Sequence, residues 1–66
     1  MIGFRTKSGS IYYIDQKNKK IWGAAINKKY GGPVKYVRAS FIIGERGYVE
    51  FEDGMYMSTN IIESYF

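Results

Sequence analysis

Apolar and polar residues alternate one for one in several short stretches of this chain, and a turn signal closes most of them. Ile2-Gly3-Phe4-Arg5-Thr6-Lys7 puts Ile2 and Phe4 on one face and Arg5 and Lys7 on the other, the period of a half-buried strand. Ser8-Gly9 follows as a two-residue turn. Ser10 to Asp15 is rich in the β-branched and aromatic residues that suit a pleated surface. In that second strand Tyr12 and Ile14 share one face, Ile11 and Tyr13 the other. One of these faces meets the core, and the other lies on the surface or meets a second subunit.

The alternation continues along the chain. Asp15 to Lys19 has the composition of a turn. Lys20 to Ile26 is a third apolar segment, and Gly23 interrupts it with a bulge or bend. The alternative for Ala24 to Lys29 is a short helical turn. Beyond the Gly31-Gly32-Pro33 corner, Val37, Ala39, Phe41 and Ile43 alternate with Tyr36, Arg38, Ser40 and Ile42. The first set is expected to form the central core row, and Tyr36 and Arg38 to face outward. Gly44 to Gly47 turns the chain. Val49 and Phe51 then point inward, and Asp53-Gly54 is a strong hairpin signal. Met55 to Ser58 returns from it, Thr59-Asn60 breaks the pattern, and Ile61 to Phe66 reads as a final strand or a short terminal helix.

No window sustains a 3.6-residue period. About six short strands joined by tight turns predict an all-β fold. The expected architecture is a small antiparallel barrel or sandwich, SH3-like or OB-like in size, with residues 1–66 forming a single small β domain. Its core is expected to contain Phe4, Tyr12, Ile14, Val37, Ala39, Phe41, Val49 and Phe51.

So short a chain buries little surface and usually needs a staple. This one has no Cys and no His, so neither a disulfide nor a structural zinc is available. Four Phe, seven Tyr and one Trp remain as stabilisers, together with self-association. Apolar groups outside the core row (Ile11, Tyr13, Ile42, Tyr56, Ile61) predict a homo-oligomer. No apolar run has the length of a signal-peptide core or a membrane span, so a cytoplasmic protein with no membrane partner is expected.

The same absences bear on chemistry. Without His or Cys, the usual general base, the thiolate nucleophile and the soft metal ligands are missing, and no enzymatic activity, cofactor or metal is expected. Gly31-Gly32-Pro33-Val34-Lys35 lacks the second glycine and the Lys-Ser/Thr pair of a phosphate-binding loop. Glu50, Glu52 and Asp53 are read as a solvated strand face with a hairpin Asp rather than as a hard-cation site.

Charge is distributed unevenly. Between Gln16 and Gly44 lie seven cations (Lys17, Lys19, Lys20, Lys28, Lys29, Lys35, Arg38) and no acid, whereas Glu45 to Asp53 holds four acids and one Arg. The net charge is +4. Lysines in turns keep a small aromatic protein dispersed and protect edge strands. The functional reading makes Lys28, Lys29, Tyr30, Lys35, Tyr36 and Arg38 a site for an anionic, base-containing ligand, with lysines attracting phosphate, Arg38 gripping it and tyrosine rings stacking. Trp22 is read as core rather than as a stacking residue. Two functions from different classes follow. One is a module that binds nucleic acid or a signalling nucleotide without turning it over. The other is a protein that inhibits or regulates a host protein through its charged or aromatic face.

Thr6-Lys7-Ser8-Gly9-Ser10-Ile11-Tyr12-Tyr13-Ile14-Asp15, followed by the basic turn Lys17-Asn18-Lys19-Lys20, resembles the opening of many small phage-encoded β proteins. These often read Thr-x-Ser-Gly-Ser-x-Tyr-x-Ile/Leu-Asp before a Lys/Arg-rich turn. Ser58-Thr59-Asn60-Ile61-Ile62 is similar to their C-terminal Thr-Ser-Pro-Val-like corner but has no Pro. The resemblance implies a small β-barrel of viral or prophage origin acting in the host cell, in a group that includes counter-defence factors. It implies no catalytic residues.

Overall fold

Strands form where the alternation is strongest, and each pairs antiparallel with the next in the chain. The computed structural model describes residues 2–66. The elements are β1 (Ile2–Thr6), β2 (Ile11–Asp15), β3 (Lys20–Gly23), α1 (Ala24–Tyr30), β4 (Val34–Ser40), β5 (Arg46–Phe51) and β6 (Tyr56–Tyr65). The strand order follows the chain throughout, and β6 returns to β1 to close an all-β barrel. Closure leaves no long unpaired edge.

The first apolar row meets the core as expected. Phe4, Tyr12 and Ile14 are buried, joined by Ile21, Ile26, Tyr36, Val49, Phe51 and Ile62. Phe4 stacks on Tyr12 with ring centroids 5.2 Å apart, and Phe41 leans on Phe4 at 5.3 Å. Ala39 and Phe41 are half-buried and pack against this cluster.

The segment after β2 divides at Gly23. β3 ends there and α1 begins, so the bend with a helical turn is the form adopted rather than a continuous strand to Ile26. Gly23 has φ 105°, and a Cβ on it would lie 2.5 Å from the Ile11 carbonyl oxygen. Only glycine combines that backbone conformation with so close a neighbour. Asn27 steadies the corner by accepting a hydrogen bond from the Gly23 N–H at 3.0 Å. α1 then covers one end of the barrel, with Ile26 buried and the Tyr30 ring 5.1 Å from Phe51.

β4 departs from the expected alternation. Tyr36 pairs with Phe51, but Arg38 pairs with the next residue of β5, Glu50. One extra residue of β4 is absorbed in a bulge, which inverts the side-chain parity. Tyr36 therefore turns inward and is 9% exposed, while Val37 and Arg38 both face out and Val37 is 48% exposed. Past the bulge the expected parity returns at Ala39 and Phe41. The strand stops at Ser40, and Ile43 lies in the following loop at 51% exposure. The core row expected to include Val37 and Ile43 thus uses Tyr36 instead.

Thr59-Asn60 does not end a strand. β6 runs through it for ten residues, with an extra residue relative to β5 between the Ser58–Tyr48 and Ile61–Arg46 pairs. Asn60 holds this second bulge by accepting the Ile61 N–H at 2.7 Å, and the Thr59 hydroxyl oxygen accepts the Gly47 N–H at 2.9 Å. The bulge lets one strand bend between two partners, β5 and then β1.

Candidate functional site

The six residues expected to form a basic aromatic site are dispersed over the barrel. Lys28 and Lys29 lie exposed in the last turn of α1, where cations oppose the negative end of the helix dipole. Lys29 Nζ also sits 5.6 Å from the centre of the Tyr30 ring, and Tyr30 is half-buried against Phe51. Tyr36 is inside the barrel, so its ring offers no outward stacking surface. Burial raises its hydroxyl pKa, with a further contribution from the Asp15 charge. Arg38 is exposed beside Glu50, its partner across β4 and β5. Lys35 lies beside another cation on the sheet, because it pairs directly with Lys20 across β3 and β4.

That pair borders an aromatic row. Residues on the outer faces of β2 and β3 fall into register as Tyr13 opposite Trp22 and Asp15 opposite Lys20. Tyr13 and Trp22 lie near-parallel, with centroids 5.9 Å apart and planes 20° apart. Trp22 is thus half-buried on the outside of the sheet, not in the core. Phe66 extends the row. Its N–H and C=O both bond to Gly3 (2.8 and 3.0 Å), and its ring meets Tyr13 edge-on at 5.9 Å. Gly3 pairs with Tyr13. A Cβ at Gly3 would come within 2.7 Å of the Phe66 ring, so the missing side chain is what lets Phe66 lie there.

The outer face of β1 to β3 therefore carries Phe66, Tyr13 and Trp22 in one row. One pleat row away, a spacing of about 7 Å along the strand, stands Asp15–Lys20–Lys35. Among the described residues the one ion pair is Arg5–Glu63 (3.2 Å), and neither Lys20 nor Lys35 has a carboxylate partner. Asp15 is held by Asn18, whose side-chain amide and main-chain N–H donate to its carboxylate at 2.8 and 3.2 Å. These hydrogen bonds lower its pKa. Like charges placed directly opposite each other in a sheet are unfavourable. An external anion would relieve that repulsion.

Tyr13 and Phe66 were not among the residues singled out for ligand binding. The alternation of β2 did carry a signal for Tyr13, since it puts Ile11 and Tyr13 opposite the core face. Nothing local marks Phe66, whose position depends on barrel closure.

The other side of the barrel has a different character. Across β4, β5 and β6 the register sets Arg38, Glu50 and Tyr56 side by side. Tyr48 donates to Glu50 at 3.3 Å and leans on Tyr56 at 6.1 Å. Burial, and then the Glu50 charge, raise the Tyr48 pKa. Tyr56 is 68% exposed. At the hairpin tip Asp53 accepts the Met55 N–H at 2.9 Å. A cavity of about 560 Å³ opens at one end of the barrel, lined by Ile2, Ile14, Gln16, Ala39, Phe41, Tyr65 and Phe66. Its lining holds no charged side chain, so it offers a phosphate no counter-charge.

Fold and surface together define a small closed antiparallel β-barrel with an aromatic–basic face and a tyrosine–acidic face. No protein-family model, curated protein or solved structure matches the chain. No helix among the described residues is long and apolar enough to cross a membrane.

Proposed function

We propose that the protein is a non-enzymatic module that binds an anionic, base-containing ligand, either nucleic acid or a signalling nucleotide. The observation that supports this most is the Lys20–Lys35 pair. Two cations oppose each other and neither forms an ion pair, although Asp15 stands across the sheet from Lys20, and they lie one pleat row from stacked Tyr13 and Trp22. Flat rings beside lysines that form no ion pair suit a ligand that is both planar and anionic. In this reading Lys35 keeps the role expected from the sequence, and Lys20, Tyr13 and Trp22 take the places of Tyr36 and Arg38. Lys28 and Lys29 add long-range attraction from α1. The resemblance of Thr6 to Asp15 to phage-encoded proteins motivates the rest of the proposal, a viral or prophage factor acting in the host cytoplasm and withholding such a ligand from host defence.

Native mass spectrometry of the protein purified from producing cells tests this reading. A retained nucleotide or oligonucleotide is the expected result. Loss of all binding, weaker than millimolar at low salt across single strands and a nucleotide panel, would overturn it.

A second reading, inhibition or regulation of a host protein, draws on the opposite face. Tyr48, Tyr56 and Arg38 are residue types common at protein interfaces, and here they surround Glu50. Capture of a host protein that is lost in Tyr56→Ala, with no nucleotide binding, would favour it.

A further inference from the structure

We infer that the ligand is a single-stranded nucleic acid, and that Phe66, Tyr13 and Trp22 are stacking platforms for successive bases. This deepens the reading above and rests on it. Phe66 lies over Gly3 of β1, Tyr13 stands on β2 and Trp22 on β3, each neighbouring pair of rings 5.9 Å apart, with Trp22 near-parallel to Tyr13 and Phe66 edge-on to it. A mononucleotide has one base to stack, so a row of three rings exceeds what it can use. A strand crossing β6, β1, β2 and β3 meets the rings in turn, and its backbone then reaches Lys20 and Lys35 at the β3 end of the row. Double-stranded nucleic acid does not suit this face, because its bases are stacked on one another and their faces are closed to the rings. The uncharged lining of the barrel-end cavity also gives a small nucleotide no phosphate site there.

Gly3 supplies a local test. Its missing Cβ makes room for the Phe66 ring, and the atoms that a methyl group would meet belong to that 64% exposed side chain rather than to the backbone. Gly3→Ala should therefore swing the ring aside with the barrel intact. Phe66→Leu removes the ring directly from an exposed position and serves if Gly3→Ala misfolds.

The experiment is fluorescence anisotropy with labelled thymidine mono-, di-, tri- and hexanucleotides, the matching uridine series and a duplex. Circular dichroism checks the fold of each variant. Affinity should rise on the order of tenfold with each added nucleotide up to the third, then more slowly. Phe66→Leu, Tyr13→Leu and Trp22→Leu should each weaken trinucleotide binding on the order of tenfold. Comparison of the thymidine and uridine series tells DNA from RNA. Equal affinity for mononucleotide and hexanucleotide would overturn the inference and leave the proposed function standing. So would a duplex that binds as tightly as the single strand, or ring variants without effect. Failure of every probe to bind would also overturn the inference, and the proposed function would fall with it only if the nucleotide panel binds no better than millimolar.

Discussion

Gly23 and Lys35 show how single positions divide between folding and binding. At Gly23 the backbone turns through φ 105° beneath the Ile11 carbonyl. Gly23→Ala should cost ~1–3 kcal/mol from backbone strain, with the steric clash in addition. In so small a domain urea titration should find the variant largely unfolded, and a wild-type midpoint would show that the corner is not constrained as described. Lys35 behaves in the opposite sense. It faces Lys20 across the sheet, so Lys35→Gln should raise stability by ~0.2–1 kcal/mol at low salt while weakening oligonucleotide binding. A residue that lowers stability and raises affinity is what a binding face requires. A Lys35→Gln variant that is less stable than wild type would argue that Lys35 has a structural partner.

At the scale of the elements, the bulge in β4 decides which side chains are core. Tyr36→Ala should cost about 3–5 kcal/mol, as for a buried aromatic, and Val37→Ala no more than about 0.5 kcal/mol. The reverse order would restore the unbroken alternation read from the sequence. Tyr12 and Tyr36 also tie these elements to pH. Burial raises both hydroxyl pKa values, opposed at Tyr12 by a smaller contribution from the Ala25 main chain and reinforced at Tyr36 by the Asp15 charge. A group with a raised folded pKa contributes stability that is complete below its unfolded value, about 10, and that is lost as pH rises through the folded value. The protein should therefore destabilise above about pH 10, and absorbance at tyrosinate wavelengths should show late-titrating tyrosines that ionise as the fold is lost. Simple early titration of all seven tyrosines would place Tyr12 and Tyr36 outside the core. The strands, the Asp53-Gly54 hairpin and the buried faces of β1, β2 and β5 were legible because each depends on local period or turn chemistry. The β4 bulge was not, because Val37 and Tyr36 are both compatible with a strand core and only pairing with β5 selects between them. The candidate site was half legible for the same reason. Local composition revealed the lysines, whereas the ring row depends on which strands lie side by side.

Across the whole molecule, closure of the barrel separates two surfaces that are mixed in the sequence. Rings and lysines gather outside β1 to β3, and tyrosines with carboxylates gather outside β4 to β6. Ile42, Ile43, Val37, Met55 and Tyr56 remain exposed, an apolar surplus for a chain of this size. Light scattering at high micromolar concentration should accordingly report a homodimer or larger species, and a strict monomer would contradict that expectation. The claim that the lysine-flanked aromatic face holds an anionic strand is tested most directly by salt. Binding of a thymidine hexanucleotide is measured over a range of salt concentrations for the wild type and for Lys20→Gln/Lys35→Gln. Each lysine–phosphate contact to a single strand contributes about 0.7 to the slope of log affinity against log salt, so the double variant should lose about 1.4 from that slope. An unchanged slope, or no binding by the wild type, would contradict the claim.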